Sequence, residues 1–396
     1  MSTKTTITSN PGFRPADRRK LRGLLACLGA AGLAFLAEGV NAQALPPVIK
    51  VALVKEFAGN AGFAGLSMKK GIELAAEEVN NSGFLGRGVK LVIDPLDTAS
   101  VTQTAVSLVS QSAAKPEYVA ILGPSNSDAG AATAPIAQRA RIPMIFSQSL
   151  GDGILVGNYI FRVSSPLDAY YGLVMDYLKS KNVKTVSMLY NASSIRQAQA
   201  AKEMLPDMAK PLGISILSNT GVPITSTDFT ALASKIVSEK SDAAVFYMAG
   251  AQHVTAVQQL TRAGYKGLLI AGSGIETSLK SLDKSADGLV WVAPFHNVWQ
   301  NPGAAKFSKA YQEKFSEVPL SYAAEGYDSV WLLARGIKAS GSATRDGIQK
   351  GMSDVVKTGF DGAQGHLSFV GNDARTKGVL MQWSGGKEVV LRRGDQ

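Results

Sequence analysis

Two alternating hydrophobic periodicities run through this chain between residues 49 and 293, and they restrict its fold more than any other feature. Short apolar runs, typical of buried strands, alternate with longer amphipathic segments, typical of helices. The first pair comprises residues 49–54 and 67–80, and residues 119–122 and 129–140 repeat it. Strands and helices that alternate with short links predict parallel sheets covered by helices, the α/β class.

The length of the chain and the spacing of its elements predict two lobes. A chain of 396 residues exceeds one ordinary hydrophobic core. The alternation restarts after an extended joint at 163–165, and a second joint lies at 291–294. The later helical segments have no parallel strands of their own, so we expect them to pack on the first unit. We predict lobe 1 from residues 45–162 plus 294–374, lobe 2 from 163–293 plus 375–396, and a hinge of three crossovers.

Residues 1–42 have the order of a secretory signal peptide. A basic run precedes an apolar run at 23–37, and small residues suited to cleavage end at residue 42 or 44. The apolar run is shorter than the roughly 20 residues that span a membrane. Arg18 and Arg19 leave twin-arginine export open, and Cys27 leaves a lipoprotein open. We expect an exported, soluble and monomeric protein whose signal peptide is removed.

The charge of the chain does not indicate a nucleic-acid partner. Its formal net charge is +10, but residues 1–42 hold six of the 41 basic and two of the 31 acidic residues, which leaves +6. These charges are spread without a dense basic run. Mild, dispersed basicity predicts no nucleic-acid binding.

Three fragments leave a serine acyl enzyme open as an alternative. Residues 67–70 fit S-x-x-K, residues 321–323 loosely resemble S-D-N, and residues 357–359 read K-T-G. Ala323 lacks the required amide, and Lys357 ends a helical segment instead of opening a strand. We therefore expect no catalytic residues and no enzyme.

Cofactor and metal sites lack their usual residues. The glycines of residues 59–65 follow a strand and precede a helix, but they match neither the dinucleotide nor the Walker pattern. His253, His296 and His366 stand far apart, and none has a partner at metal-ligand spacing. We predict no cofactor and no metal.

Polar and small residues follow the predicted strands, at the edge where open α/β sheets bind ligands. The helix N-terminus beside Ser127 offers backbone N–H groups and a positive dipole end to a carboxylate. The alternative is that Ser127 only caps that helix. In lobe 1 these residues are Phe63, Asn126, Ser127, Ser147, Ser149 and Gly151, and in lobe 2 they fall within residues 190–196, 248–252 and 272–276.

Several fragments, in this order, carry a resemblance to a known family. They are GIELAAEEVNNSG (71–83), DT (97–98), ILGPS (121–125), RIP (141–143), FRV (161–163), YAA (322–324), YDSV (327–330) and FDGAQGHLSF (360–369). The mature chain resembles the leucine/isoleucine/valine-binding type of periplasmic solute receptor of ABC importers, which has the type I binding-protein fold.

The resemblance implies a fold and a mechanism. It implies two Rossmann-like lobes, a small carboxylate ligand that docks on lobe 1, closure of lobe 2 over it, and delivery to the permease subunits of an ABC transporter. It places the binding of the ligand carboxylate on Ser127, the backbone of Ser149, and Gly151. It places an aromatic wall near Phe63 and Tyr322.

The second lobe departs from the family's amino-acid pattern. The family's ammonium-binding aromatic and acid fall here on Ala249, Gly250 and Ser273, and a family tyrosine falls on Ile195, between Tyr190 and Arg196. A buried ammonium without a partner charge is costly. Either Glu276 or Asp152 moves in, or the cargo has no ammonium. The cargo is therefore left open among a hydrophobic amino acid, an aromatic or aliphatic organic acid, and an amide. A sensory or regulatory binding protein of the same fold is an alternative.

Overall fold

The computed structural model describes residues 44–151, 153–248, 250–297, 301–376 and 378–393. The predicted signal peptide, residues 1–42, lies outside these ranges. The described chain forms two sheets of mostly parallel strands with helices on both faces, as the sequence predicts.

The elements follow each other in the predicted alternation. The first part contains β1 (Val48–Lys55), α1 (Gly62–Asn81), β2 (Lys90–Asp97), α2 (Thr102–Ala114), β3 (Tyr118–Leu122), α3 (Ser127–Arg139), β4 (Met144–Phe146) and β5 (Ile160–Arg162). The second contains α4 (Leu167–Ser180), β6 (Thr185–Asn191), α5 (Ile195–Gln199), α6 (Leu205–Ala209), β7 (Ser215–Val222), α7 (Thr230–Glu239), β8 (Ala243–Tyr247), α8 (Gly250–Arg262), β9 (Leu268–Ala271) and β10 (Val290–Ala293). The last contains α9 (Pro302–Phe315), α10 (Ser321–Ser340), α11 (Arg345–Thr358), β11 (Phe360–Gly362), β12 (Gly365–Val370), β13 (Asp373–Arg375), β14 (Val379–Ser384) and β15 (Lys387–Arg393). A π-helical turn, Ala200–Met204, joins α5 to α6, and a 3-10 helix, Ser273–Ser281, follows β9.

Each sheet has a parallel centre and an antiparallel margin. The first sheet has the strand order β11-β12-β13-β5-β4-β3-β1-β2, and the second has β15-β14-β10-β9-β8-β6-β7. Strands β1 to β5 pair in parallel, as do β6 to β10. The carboxyl ends of parallel strands lie at one edge, so the loops that follow them gather in one place on each sheet.

Apolar side chains cover both faces of each sheet. Leu53 and Phe161 of the first sheet pack in a core with α1, α9, α10 and α11, whereas Val54 and Ile160 pack on the opposite face against α3. The second sheet is also enclosed by two clusters, one with α4 and α6 and the other with α7 and α8. Burial of both faces explains the continuous apolar runs of these strands.

Helices α1 and α10 approach each other closely at glycines. A Cβ on Gly71 would lie 1.9 Å from the carbonyl oxygen of Ala323, and one on Gly326 would lie 2.5 Å from that of Met68. The later helices therefore pack on the first sheet, as expected. This contact holds the N-terminal turn of α10 in position over the sheet.

The chain passes between the sheets three times, after β5, after β10 and after β13. Two of these crossings are bonded together, because Ser165 Oγ donates to the carbonyl oxygen of Thr376 at 2.9 Å. The first crossing is also tied to lobe 1, since Gln364 Nε2 donates to the carbonyl oxygen of Val163 at 3.2 Å.

The sequence also predicts a glycine-rich loop over residues 55–65 and a polar tail after residue 383, and both predictions are wrong. Residues 55–65 do not form one loop, because α1 begins at Gly62 and its first turn packs on the chain after β1. A Cβ on Gly65 would lie 1.7 Å from the carbonyl oxygen of Glu56, so glycine allows this approach. The predicted polar tail contains β15, an edge strand that pairs with β14 and carries little apolar pattern.

Candidate functional site

An internal carboxylate occupies the turn between β3 and α3. Glu56 follows β1 directly, is 1% exposed, and accepts hydrogen bonds from the backbone N–H groups of Ser125, at 3.0 Å, and Asn126, at 3.3 Å. Backbone N–H groups ahead of a helix attract an anion. The protein supplies that anion itself, which the sequence alone does not indicate.

The residue that caps α3 is Asn126. Its Oδ1 accepts from the N–H groups of Asp128, at 2.8 Å, and Ala129, at 3.2 Å. Ser127 is the first helical residue, and its Oγ accepts instead from the N–H of Leu150 at 3.2 Å. The cap interpretation of Ser127 is therefore wrong. Ser127 joins the loops after β3 and β4, as a shared site requires.

The side chain of Arg162 forms hydrogen bonds to the backbone of the loop after β4. Its guanidinium forms a two-pronged ion pair with Asp373 at 2.6 and 2.8 Å, and it donates to the carbonyl oxygens of Ser149, at 3.1 Å, and Gly151, at 3.2 Å. Ser149 Oγ donates to the carbonyl oxygen of Pro124 at 2.9 Å. A buried bidentate pair gives rigid geometry, so Arg162 fixes the predicted binding loop relative to β5 and β13.

A buried lysine lies at the end of β1. Lys55 is 0% exposed, and its Nζ donates to Ser147 Oγ at 3.4 Å. Burial lowers the pKa of Lys55 to about 8, against the opposing effect of the Glu56 and Glu325 charges. Its ammonium therefore stays largely protonated at neutral pH.

Glu325, in the first half of α10, lies near this lysine and the loop after β4. The carboxyl group of Glu325 is fully buried and contacts the side-chain amide of Gln148. Burial, followed by the charge of Glu276, raises the pKa of Glu325 well above its usual range. The half-buried Tyr322 also has a raised pKa, first from burial and then from Glu276 and Glu325.

Glu276 brings the second sheet into the same cluster. It lies on the 3-10 helix after β9, is 7% exposed, and accepts a hydrogen bond on Oε2 from Ser321 Oγ of α10 at 2.5 Å. Burial raises its pKa to about 7. Its Oε1 is buried and has no hydrogen-bond partner among the described residues. A buried, unpartnered carboxylate oxygen is costly and marks a place for a donor.

The second sheet adds two tyrosines near these loops. The rings of Tyr171 on α4 and Tyr247 at the end of β8 meet edge to face, with centroids 5.6 Å apart. The Tyr171 hydroxyl lies close to Gly272 after β9, since a Cβ on that glycine would lie 3.3 Å from it. This buried hydroxyl has no hydrogen-bond partner within the described chain. Leu150 of the loop after β4 packs against the same apolar cluster. Strand-end loops of both sheets therefore meet.

A groove of about 1040 Å³ opens between the lobes beside this cluster. Phe63, 57% exposed, lines it together with Glu276 and Leu320. The predicted aromatic residue therefore stands at a cleft between elements of both sheets, with its ring partly open to solvent.

The other predicted residues of lobe 2 have varied positions. Gly250 begins α8 and packs against the 3-10 helix, since its Cβ would lie 2.7 Å from Thr277 Oγ1. Tyr190 packs its ring on Gly221 of β7, and Ile195 is 74% exposed at the start of α5. Ligand contact by these residues stays a prediction. Ala249, Asp152 and the side chains of Arg196 and Ser273 lie outside the described residues.

Sequence reasoning named Glu276 as a partner for a ligand ammonium but omitted three other charged residues of this cluster. These are Lys55, Glu56 and Glu325. The signal for the first two was a charged pair directly after a buried strand. The signal for Glu325 was a carboxylate on the apolar face of a helix that reads AAEGYDSV.

The alternative chemistries find no support in these contacts. Lys70 pairs with Glu317, and Lys357 pairs with Asp354 three residues earlier on α11. In the ranges that the structure describes, no cluster of His, Cys, Asp or Glu is arranged to hold a metal ion. Nor does any described helix combine the length and apolarity needed to cross a membrane.

Known proteins share this architecture. Leu/Ile/Val-binding protein homolog 8 of Brucella abortus is 24% identical over 391 residues, which covers 92% of this chain and 95% of the relative. The LivJ branched-chain amino acid transporter substrate-binding protein of Streptococcus pneumoniae, solved with isoleucine, superposes with a TM-score of 0.76 at 25% identity, over 87% of this chain and 99% of that one. An ABC transporter solute-binding protein of R. palustris, solved with benzoate, gives 0.74 at 20% identity, over 87% and 95%.

Two lobes of parallel strands, whose loops meet around a buried polar cluster, define a two-lobed binding protein. A sequence model of the periplasmic binding protein family matches residues 48–387, and the chain belongs to that family. The predicted resemblance is confirmed, and so is the prediction of a binding protein instead of an enzyme.

Proposed function

We propose that this protein is the periplasmic solute-binding receptor of an ABC importer. It is exported by the predicted signal peptide of residues 1–42, captures a small carboxylate-bearing ligand, and delivers it to a membrane permease. Lobe 1 comprises residues 45–162 plus 294–374, and lobe 2 comprises 163–293 plus 375–396. Membership of the periplasmic binding protein family supports this function.

The contact between Ser321 and Glu276 carries the proposal. It joins the N-terminus of α10, packed on the first sheet, to the 3-10 helix after β9 of the second sheet. A ligand held between these loops touches both lobes, and ligand contacts made only in the closed form shift the population toward closure. The three crossings, two of which are joined through Ser165 and Thr376, form the hinge of this motion.

Glu276 favours an amino acid with an apolar side chain as the cargo. Its buried, unpartnered Oε1 requires a donor, and an α-ammonium supplies both the donor and the opposite charge. The similar LivJ protein of Streptococcus pneumoniae was solved with isoleucine. Glu276 thereby replaces the acid that the sequence lacks at Ser273.

An aromatic carboxylic acid is the second candidate. Tyr171 and Tyr247 offer an aromatic surface near the strand ends of lobe 2, and the unpartnered Tyr171 hydroxyl suits a polar ring substituent. The similar R. palustris protein was solved with benzoate. This cargo has no ammonium and leaves Glu276 protonated.

Isothermal titration calorimetry of the mature protein separates the two candidates. The panel contains L-leucine, L-isoleucine and L-phenylalanine against benzoate and phenylacetate. We expect saturable binding of the amino acids. In a separate denaturation measurement, an amino acid at 100 to 1,000 times its dissociation constant should raise the free energy of unfolding by about 3–4 kcal/mol. Binding of the aromatic acids alone selects the second candidate. Absence of any binding at millimolar concentration rejects the proposed cargo class.

A further inference from the structure

Lys55 is a buried cation beside the predicted carboxylate-binding loops, and unlike Arg162 it is not held in a bidentate ion pair with any described residue. Lys55 is the last residue of β1, and its Nζ bonds to Ser147, directly after β4. Strand β3 lies between β1 and β4, so the lysine connects the carboxyl ends of two non-adjacent strands. An ammonium has three N–H donors. Among the described residues, Ser147 Oγ is its hydrogen-bond acceptor, and the separation of 3.4 Å is long for a bond of this kind. A fully buried ammonium so sparsely bonded lacks acceptors that an anion can provide.

The neighbouring carboxylates do not fill this need. The carboxylate of Glu56 is directed to the N–H groups of Ser125 and Asn126. The carboxyl group of Glu325 contacts Gln148 and is driven towards its protonated form by burial. Lys55 therefore has charged neighbours without a close carboxylate acceptor.

The negative charge of Glu56 also changes the expected anion site. It lies beside the N-terminal turn of α3, where the sequence predicts the ligand carboxylate. A carboxylate brought to either place is near Glu56, and at Ser127 alone no cation of the described chain offsets the repulsion. Placed at Lys55 and Ser147, the same carboxylate gains an opposite charge and two donors.

We propose that Lys55, with Ser147, binds the carboxylate of the cargo and is the residue that distinguishes acids from neutral ligands. This inference rests on the proposed function and assigns the anion site within it. Carboxylate at Lys55 in lobe 1 and ammonium at Glu276 in lobe 2 give the two lobes complementary roles.

The test compares each acid with its neutral amide in wild-type and variant proteins. The probe pairs are leucine with leucinamide, at mildly acidic pH where both ammonium groups are protonated, and phenylacetate with phenylacetamide. Lys55→Met keeps the length of the side chain and removes the charge, and Lys55→Gln serves if the methionine variant folds poorly. Lys50→Met on the same strand is the matched control, and Ser127→Ala tests the rival anion site.

We expect the wild type to prefer the acid over the amide by about 30-fold or more, the effect of one buried charge pair. Lys55→Met and Lys55→Gln should abolish this preference, whereas Lys50→Met retains it. Ser127→Ala should weaken acid and amide alike.

Each other outcome overturns the inference in a recognisable way. If the Lys55 variants keep the wild-type ratio, or if Ser127→Ala abolishes it, the carboxylate binds elsewhere and the receptor function stands. If the wild type binds acid and amide equally, charge recognition is absent, and the receptor function again stands. If no probe binds the wild type, the inference fails together with the proposed cargo class.

Discussion

Folding of the unliganded protein favours protonated Glu276, whereas binding of a ligand ammonium favours the ionised carboxylate. Burial raises its pKa from 4.5 to about 7, so the folded, unliganded protein binds this proton more tightly than the unfolded chain does. The stabilisation from this group is complete below its ordinary pKa of 4.5 and is lost as the pH rises through about 7. A ligand ammonium has the opposite preference, because it pairs with the ionised carboxylate.

Glu276→Gln therefore tests function and stability together. We expect amino-acid affinity in the wild type to increase as the pH rises through about 7, and the glutamine variant to lose both this dependence and about tenfold or more in affinity at the upper pH. The unliganded variant should melt about 2 °C higher than the wild type at that pH.

The control for this change is Glu313→Gln, on the exposed surface of α9, where an ion pair with Lys309 contributes little. Calorimetry and thermal unfolding across the pH range give both readouts. Equal amino-acid affinity in wild type and Glu276→Gln would remove this carboxylate from the site.

At this scale the sequence indicated the location of the site better than its chemistry. Ser127, Ser147 and Ser149 follow strands, and strand ends are readable from periodicity. Lys55 and Glu325 were not selected, because a charged residue is usually solvated, and Glu276 was named only as one of two acids that could pair with a ligand ammonium. Only their burial beside one another gives them a role.

Helix α10 is the element on which the site depends most. Ser321, Tyr322 and Glu325 all lie in its first half, and close packing against α1 sets their height over the sheet. The helix can approach this closely because Gly71 and Gly326 have no side chains.

Gly71→Ala should disturb both packing and binding. Its Cβ would overlap the carbonyl oxygen of Ala323, so we expect a loss of about 1–3 kcal/mol in unfolding free energy. The displaced helix should also weaken every ligand. Urea denaturation and calorimetry measure the two effects.

Gly172→Ala is the matched control for that change. Gly172 is also helical, in α4, and its Cβ would meet no atom within 4 Å. We expect a gain of about 0.5–1 kcal/mol from helix propensity. Similar losses in the two variants would show that close packing at Gly71 is not the cause.

Most helices and parallel strands were predictable because each carries its own hydrophobic period. The strands β11, β13 and β15 were not, since they are short or lie at a margin. Their pairing with β12, β5 and β14 depends on partners that the local sequence does not specify.

At the scale of the whole molecule, the proposed function requires closure, and we expect Ser321 to stabilise the closed form without contacting the predicted cargo charge directly. Its hydroxyl bonds Glu276 across the cleft. Removing a hydrogen bond to a charged group costs about 1.5–3 kcal/mol. Ser321→Ala should therefore weaken amino acids and aromatic acids alike, by about tenfold or more.

Small-angle X-ray scattering provides the structural readout of this prediction. Saturating ligand should reduce the radius of gyration of the wild type, and Ser321→Ala should need more ligand for the same contraction. Ser238→Ala is the control, because the Ser238 hydroxyl donates to the carbonyl oxygen of Lys235 within α7, at the surface. A contraction independent of Ser321 would place the closing contact elsewhere.

The sequence by itself determined the fold class, the number of lobes and the edge where the loops gather. Those properties follow from hydrophobic period and from the short links between elements, which are local. The tertiary structure alone decided which polar partners the buried charged residues meet. Glu276 and Ser321 stand 45 positions apart, and Lys55 and Ser147 stand 92 apart. Burial then shifts the pKa values of Lys55 and Glu276. Desolvation depends on the whole surrounding fold and not on neighbouring residues in the chain.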